Sequence, residues 1–577
     1  MKQFMIVVSI FAMLVCAVYT APVTAQDGVP TLVPPTPVPV PPSAPFDALL
    51  AQSALARIQE SGQIRVGMLY NEAPFGELNI RGEVDGFDAA LGRKLAELWG
   101  VEVEFSQVTR QTAINTLLND DIDLLIAAQV NRRELSNTIE FSQPYYQGSQ
   151  AMMVRLDDSA ENLAGLANRR VGVVMGTDSE SALTFWQQRS STALTVQRYL
   201  TMDRALVALV NNEIDGVVGK RYQLRQRVDP DRTRVLDDVV QPEPYAIAMR
   251  RQDVNLRNLV NRTLQYMASN GDMAEIHNAF FPSAPYPEDT IKLWENIGEE
   301  APQPAQFSTD APYPQQYTVP RVQSAGTVRV AGTFNPPVEA PEGERRLAEA
   351  AGQVAGQIAL RWGVNVDFIN TVDPVGAVER GEADIAIGVR PDWNEANRVD
   401  FTGMYLLRGK RMMVETQFEY NSFSELRGKW VGVFASEPGA QEEVEEFAEQ
   451  VNVLSLNIFS ITRDEDAAYE MIVEDNIDVI YGDSIRLLPH LEANPGQVKL
   501  SERCAACDPW YTREYLALAV PRNDLDFHLL VDYTLQEMWL DGTLEAALQR
   551  VTVPGESLTF DVYPGSSEYL GFSLAQS

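Results

Sequence analysis

Apolar and polar positions fall in blocks along this chain, and the period changes from block to block. IRVGML at 64–69 is a short apolar run and reads as a strand. GFDAALGRKLAELWG at 86–100 carries apolar residues at helical spacing and stops on a glycine. VEVEFSQV alternates with period two, TAINTLLND returns to the helical period, and IDLLIAA at 122–128 is continuously apolar, as a strand covered on both faces is. After FSQPYY the pattern restarts. RRVGVVMGTDSE predicts strand, tight turn and helix start. ALVALVNNEIDGVVG predicts helix then strand, YAIAMRRQD a strand, and LRNLVNRTLQYMASNG a long helix. Strands alternating with helices predict parallel sheets with crossover helices. The chain passes between two such α/β lobes near Gln150 and again near Tyr245. That double crossing predicts a two-lobed unit on a double hinge, with its cleft at the carboxyl ends of the strands.

The same order then returns. DDIDLLIAAQVNRRELSNTIEFSQPYY at 120–146 has a second version in GEADIAIGVRPDWNEANRVDFTGMY at 381–405, so that Asp123 answers to Asp384 and Phe141 to Phe401, about 260 residues on. VRVAG, ALRWGVNVDF, KWVGVFAS, NIDVIYGD, YLALAVPRND and YTLQEMWLDGTLEAAL continue the repeat. The chain therefore reads as a tandem duplication, with a first module at 46–282 and a divergent second module at 321–553. Proline-rich linkers are expected at 26–45 and 283–320, and a polar, loosely packed tail at 554–577. Lys2, the twenty uncharged residues Phe4 to Val23, and VTA before Gln26 have the layout of an export signal, with cleavage expected after Ala25. A run of that length would also serve as a retained N-terminal membrane anchor. Either way the folded part is expected outside the cytoplasm.

A chain of 577 residues is long enough for two to four domains. With 46 basic and 80 acidic residues the net charge is −34, which argues against nucleic acid and anionic lipid as partners. Three scattered histidines argue against a zinc cage or a histidine-based catalytic centre, and no cofactor is expected. Cys504 and Cys507 form a CxxC in an insert that the first module lacks. A small structural disulfide loop in an oxidising compartment is the expectation there.

Several short pieces now fall into one order. They are Ile64-Arg65-Val66-Gly67, Ala73-Pro74-Phe75, Gly86-Phe87-Asp88, Ile122-Asp123, Phe141-Ser142 with Pro144-Tyr145, Val171-Gly172-Val173, Gly176-Thr177, Ile214-Asp215 and Asn270-Gly271. Together they resemble the bacterial extracellular solute-binding proteins of the polar-amino-acid type. The resemblance implies two periplasmic-binding-protein type II modules, each of two α/β lobes. It implies a non-enzymatic receptor that closes on a small polar ligand, an amino acid or related carboxylate. The receptor would deliver that ligand to an ABC permease, or report it to a membrane sensor.

The resemblance also implies site residues. Arg132 or Arg133 would pair bidentately with a carboxylate. Thr177 would add its hydroxyl at a helix start, the backbone at Ala128 and Gln129 would donate, and Phe75 lies in the first-lobe loop of the site. Two departures follow. Lys220 stands where the family commonly has an acidic partner for the ligand's ammonium, and Arg110 where it commonly has an aromatic. Two cations there predict an anionic ligand, or one without a free ammonium. In the second module Asp483 restores the acidic partner, Arg390 or Arg398 would pair a carboxylate, and Trp393 would form an apolar wall. Yet FNPPVEAPEGERR replaces the first-lobe loop, and Pro438 removes an N–H donor. That fits a degenerate copy kept for structure or for docking to a partner. Glu72 is the one residue placed for acid–base work, as a small-molecule lyase would require.

Overall fold

In a computed structural model the IRVGML run forms the strand Gln63–Met68, paired in parallel with Glu102–Gln107 on one side and Leu124–Leu125 on the other. The structure describes residues 53–251, 253–284, 286–310, 313–314, 316–453, 455–462, 464–503, 508–556 and 560–565. The export signal, the first linker, Cys504 and Cys507 lie outside the described residues. The helix Phe87–Trp99 makes the first crossover and turns its apolar side to the sheet, burying Phe87, Leu91, Leu95 and Trp99.

Two strands tie the lobes of the first module together. Ile139–Arg155 and Gln241–Arg250 pair antiparallel from Arg250 opposite Ile139 to Gln241 opposite Gln150. Leu125 meets Ala248 at the first-lobe end. At the other end Gly216–Lys220 pairs with residues 150–154 of the long strand, followed by Arg170–Val174 and Thr195–Tyr199. One sheet thus runs through both lobes, and the hinge is a pair of hydrogen-bonded strands.

The second module keeps the strand order but splits it into two sheets. Its long strand is broken into Val399–Phe401, Leu406–Arg408 and Lys410–Glu415. Gly409 passes so close to the chain that an added Cβ would sit 2.0 Å from the Thr512 carbonyl oxygen. Matched anchors recur in both halves. Trp99 Nε1 donates to Thr263 Oγ1, and Trp362 Nε1 to Thr534 Oγ1, both at 2.8 Å. Asp123 is gripped by Arg57 and Arg65, and Asp384 by Arg321 and Arg329.

The modules meet through the helices Val254–Ser269 and Leu525–Leu540. Gln265 Oε1 accepts from Trp294 N and Trp393 Nε1, both at 2.9 Å. In the matching place Gln536 Oε1 accepts from Tyr563 N at 2.9 Å and Arg133 Nη2 at 3.0 Å. Arg262 lies over the Trp393 ring at 5.7 Å, and Arg133 over the Tyr533 ring at 4.9 Å, so the first module supplies the cation and the second the ring in both places.

Two expectations are corrected here. Part of the stretch 283–320 is packed rather than a free spacer: Ile291 and Lys292 are buried, and Trp294 stacks on Trp393 at 4.4 Å. Part of the tail is packed as well. Phe560 and Val562 are buried, and Asp561 accepts from Lys292 Nζ at 2.7 Å and Gln147 Nε2 at 3.1 Å. Apolar residues set among prolines and polar residues supply the anchoring contacts that composition alone hides.

Candidate functional site

Asn71–Glu72 is a two-residue strand folded back on Gly76–Leu78, and an added Cβ at Gly76 would lie 2.0 Å from the Leu69 carbonyl oxygen. That tight return sets Glu72 at the cleft between the lobes. Its Oε1 accepts from Lys220 Nζ at 3.0 Å and from Tyr222 OH at 2.7 Å, both from the second lobe. Its Oε2 pairs with Arg110 at 3.0 Å. Burial alone would raise the Glu72 carboxyl, but Lys220 and Arg110, with the Tyr222 hydroxyl, outweigh it and hold it at about 2. Lys220 and Arg110 therefore offer no bare cations to a ligand, which removes the basis for expecting an anionic one.

A second bridge crosses the cleft beside the first. Arg132 Nη2 of the first lobe lies 3.0 Å from Asp178 Oδ1, on the first residue of the helix Asp178–Ser190 in the second lobe. Glu243 of the hinge lies 3.8 Å from the same guanidinium. Its other oxygen accepts from Gln150 Nε2 at 2.9 Å, and Gln150 Oε1 accepts from Ser179 Oγ at 2.7 Å. Burial pushes the Glu243 carboxyl up against the pull of Gln150 and Arg132. The two bridges share one field. Burial would lower the Arg110 guanidinium, but Glu72 outweighs it and raises it, with Tyr245 and Asp178 acting in the same direction.

The remaining expected residues fall elsewhere. Phe75 is fully buried in an aromatic cluster, with ring centroids 5.0 Å from Tyr146, 5.1 Å from Tyr245 and 5.2 Å from Tyr222. Ala128 spends its N–H on Asp88 Oδ2 at 2.7 Å, and Gln129 spends its side-chain amide on the Val130 carbonyl at 3.0 Å. The Thr177 hydroxyl donates to the Val174 carbonyl at 2.7 Å, and the Gly176 N–H is taken by Glu180 at 2.9 Å. Arg133 is buried in the contact between modules, paired with Glu537 and Gln536. Of the arginine pair, Arg132 faces the cleft.

In the second module Trp393 packs in the same contact and forms no cleft wall. Arg390 pairs with Glu295 at 2.8 Å and Glu514 at 3.3 Å, and Arg398 with Glu379 at 2.6 Å. Asp483 is held by Arg408 at 2.7 Å and caps a helix through Ile485 N at 2.9 Å. The cleft itself is filled. The helix Glu342–Trp362 runs 21 residues, against 13 for Phe87–Trp99, and its first turn packs on the other lobe. An added Cβ at Gly343 would lie 2.2 Å from the Ile485 carbonyl oxygen. Arg346 reaches Glu492 at 2.6 Å, and Arg486 reaches Glu344 across the same seam.

Asp178, Tyr222 and Glu243 were not read as site residues from the sequence. Asp178 directly follows Gly176-Thr177 and passes as an ordinary helix-start acid. Tyr222 and Glu243 carry no local pattern, because only the hinge geometry brings them to Glu72 and Arg132.

Two α/β lobes on a two-strand hinge, with charged side chains meeting across the cleft, define the class of periplasmic-type binding folds. Residues 64–283 match the family model for bacterial extracellular solute-binding proteins, family 3. Over 240 residues the chain is 25% identical to the ABC transporter glutamine-binding protein GlnH of Bacillus subtilis (strain 168), covering 41% of this chain and 86% of the relative. Over 226 residues it is 25% identical to the ABC transporter arginine-binding protein 1 of Escherichia coli (strain K12), covering 38% of this chain and 91% of the relative. It is also 25% identical over 248 residues to the membrane-bound lytic murein transglycosylase F of Desulfosudis oleivorans, covering 41% of this chain and 52% of the relative.

Proposed function

We propose that this chain is an extracytoplasmic receptor whose first module closes on a small polar ligand, an amino acid or a related carboxylate, and presents it to an ABC importer. The observation that carries this reading is the family segment 64–283 together with a cleft in which Arg132 and Glu72 of one lobe face the other lobe. A guanidinium suits a carboxylate, and Glu72, held ionised, suits an ammonium. The relatives that bind glutamine and arginine support an amino-acid ligand. Matched anchors at Asp123 and Asp384, and at Trp99 and Trp362, support a tandem duplication with modules near 46–282 and 321–553. The filled second cleft favours a further role for that copy, as a fixed partner of the first module or a docking element for a permease or sensor.

A lyase or lytic role is the weaker reading. Glu72, with its carboxyl held at about 2, does not suit proton donation near neutral pH. A thermal-shift screen of the full mature chain against amino acids, dicarboxylates and keto acids tests the receptor reading. A ligand at 100 times its Kd adds about 2.7 kcal/mol to the module that binds it. No shift with any of these ligands would defeat the reading.

A further inference from the structure

The cleft of the first module is already bridged by the protein's own charges. Lys220 of the second lobe sets an ammonium on Glu72 of the first, and Asp178 of the second sets a carboxylate on Arg132 of the first, each at 3.0 Å. Tyr222 adds its hydroxyl to Glu72 at 2.7 Å and its ring to Phe75 at 5.2 Å. An ammonium on one lobe's acid and a carboxylate on the same lobe's arginine make the charge pattern of a free amino acid, delivered here by two side chains of the opposite lobe. The outer tether is the freer of the two: the Asp178 side chain is 47% exposed and the Arg132 side chain 27%, against 14% for Lys220 and 16% for Glu72. Freeing Asp178 returns its carboxylate to water.

We propose that Asp178 and Lys220 are tethered stand-ins for the ligand, which hold the empty first module shut and which a ligand displaces from Arg132 and Glu72. Closure by the tethers requires no ligand. Displacement rests on the receptor reading given above. A binding site that must first shed its own occupants shows an affinity reduced by the fraction of time it is vacant, so removing the tethers both opens the empty cleft and tightens ligand binding. The partly exposed Arg132–Asp178 pair is also screened by salt, which sets this device apart from closure by apolar packing alone.

The test uses the full mature chain with Cys504 and Cys507 replaced by Ser and spin labels at Arg81→Cys and Glu213→Cys, exposed positions on opposite lobes. Pulsed dipolar spectroscopy without ligand is expected to give one short distance in the parent. In Asp178→Asn/Lys220→Gln more than about half of the population is expected at a longer distance, with a partial move in the parent at 1 M NaCl. The single variants Arg132→Gln and Glu72→Gln, which break the same bridges from the other lobe, are expected to lengthen it too. An unchanged distance distribution in all three variants overturns the proposal. Titration with L-glutamine and L-arginine then tests displacement. About tenfold tighter binding in the double variant supports it, and equal or weaker binding overturns it. If neither amino acid binds parent or variant, displacement by these amino acids is overturned, the distances still decide closure, and the wider thermal-shift screen decides the receptor reading.

Discussion

Glu72 and Asp88 sit close together in the chain, yet their surroundings drive them in opposite directions. Lys220 and Arg110 hold Glu72 at about 2 against the ordinary 4.5, so its bridge is complete above pH 4.5 and is lost as pH falls toward 2. Between pH 5 and pH 3 the first module should lose roughly 1–3 kcal/mol of stability that Glu72→Gln, weaker at pH 7, no longer has to lose. Denaturant melts across that range check it. Asp88 is buried, accepts from Ala128 N and Tyr145 OH, and is raised to about 7 by burial, against those bonds. Its contribution is complete below the ordinary 3.8 and is lost as pH rises through about 7. Asp88→Asn should match the parent at pH 4 and exceed it by roughly 2–4 kcal/mol at pH 8, read from urea midpoints. Residue chemistry was legible in the sequence, but side-chain direction was less so. Arg132 and Arg133 are neighbours of one type, and the 3-10 turn that begins at Arg133 sends one to the cleft and the other into the contact between modules. Phe75 and Trp393 have the right character for a ligand wall, but other aromatic rings cover them.

At the scale of elements, strands and helices with a strong local period were readable, because apolar spacing and a stopping glycine act within a few residues. Phe87–Trp99 with Gly100 is one such case. The break in the second module's long strand was not readable, since it depends on Gly409 lying against Thr512, about a hundred residues further on. EGERR, which reads in the sequence as the end of a replaced first-lobe loop, is instead the start of the helix Glu342–Trp362, and nothing local marks that its first turn fills the cleft. Gly343→Val puts a side chain where the Ile485 carbonyl oxygen is only 2.2 Å from an added Cβ, and should force the two lobes apart. The expected cost is about 1–3 kcal/mol, seen as a lower midpoint of the calorimetric transition. Ligand response in the first module should persist.

Across the whole molecule, the two modules share buried ionic contacts that act as one body. Arg257 pairs with Glu140 of its own module at 2.7 Å and with Asp400 of the other at 2.5 Å, and Arg133 pairs with Glu537. Burial would raise the Asp400 carboxyl, but Arg522 and Arg257 depress it well below the ordinary carboxylate range. Removing Arg257 leaves buried Asp400 with Arg522 alone and takes the arginine from Glu140, so Arg257→Ala should cost roughly 3 kcal/mol and split one calorimetric transition into two. The repeated motif order in the sequence predicts a two-module layout. The contact between the modules could not, because its residues come from helices, linker and tail far apart in sequence. The central claim is that the first module alone captures a small polar ligand between Arg132 and Glu72. Titration calorimetry of the full chain with the amino acid selected by the thermal-shift screen tests this most directly. One ligand per chain is predicted, with binding reduced about a hundredfold or more in Arg132→Ala, as loss of a charge-assisted pair requires. Two ligands per chain, or affinity unchanged in Arg132→Ala, would contradict it.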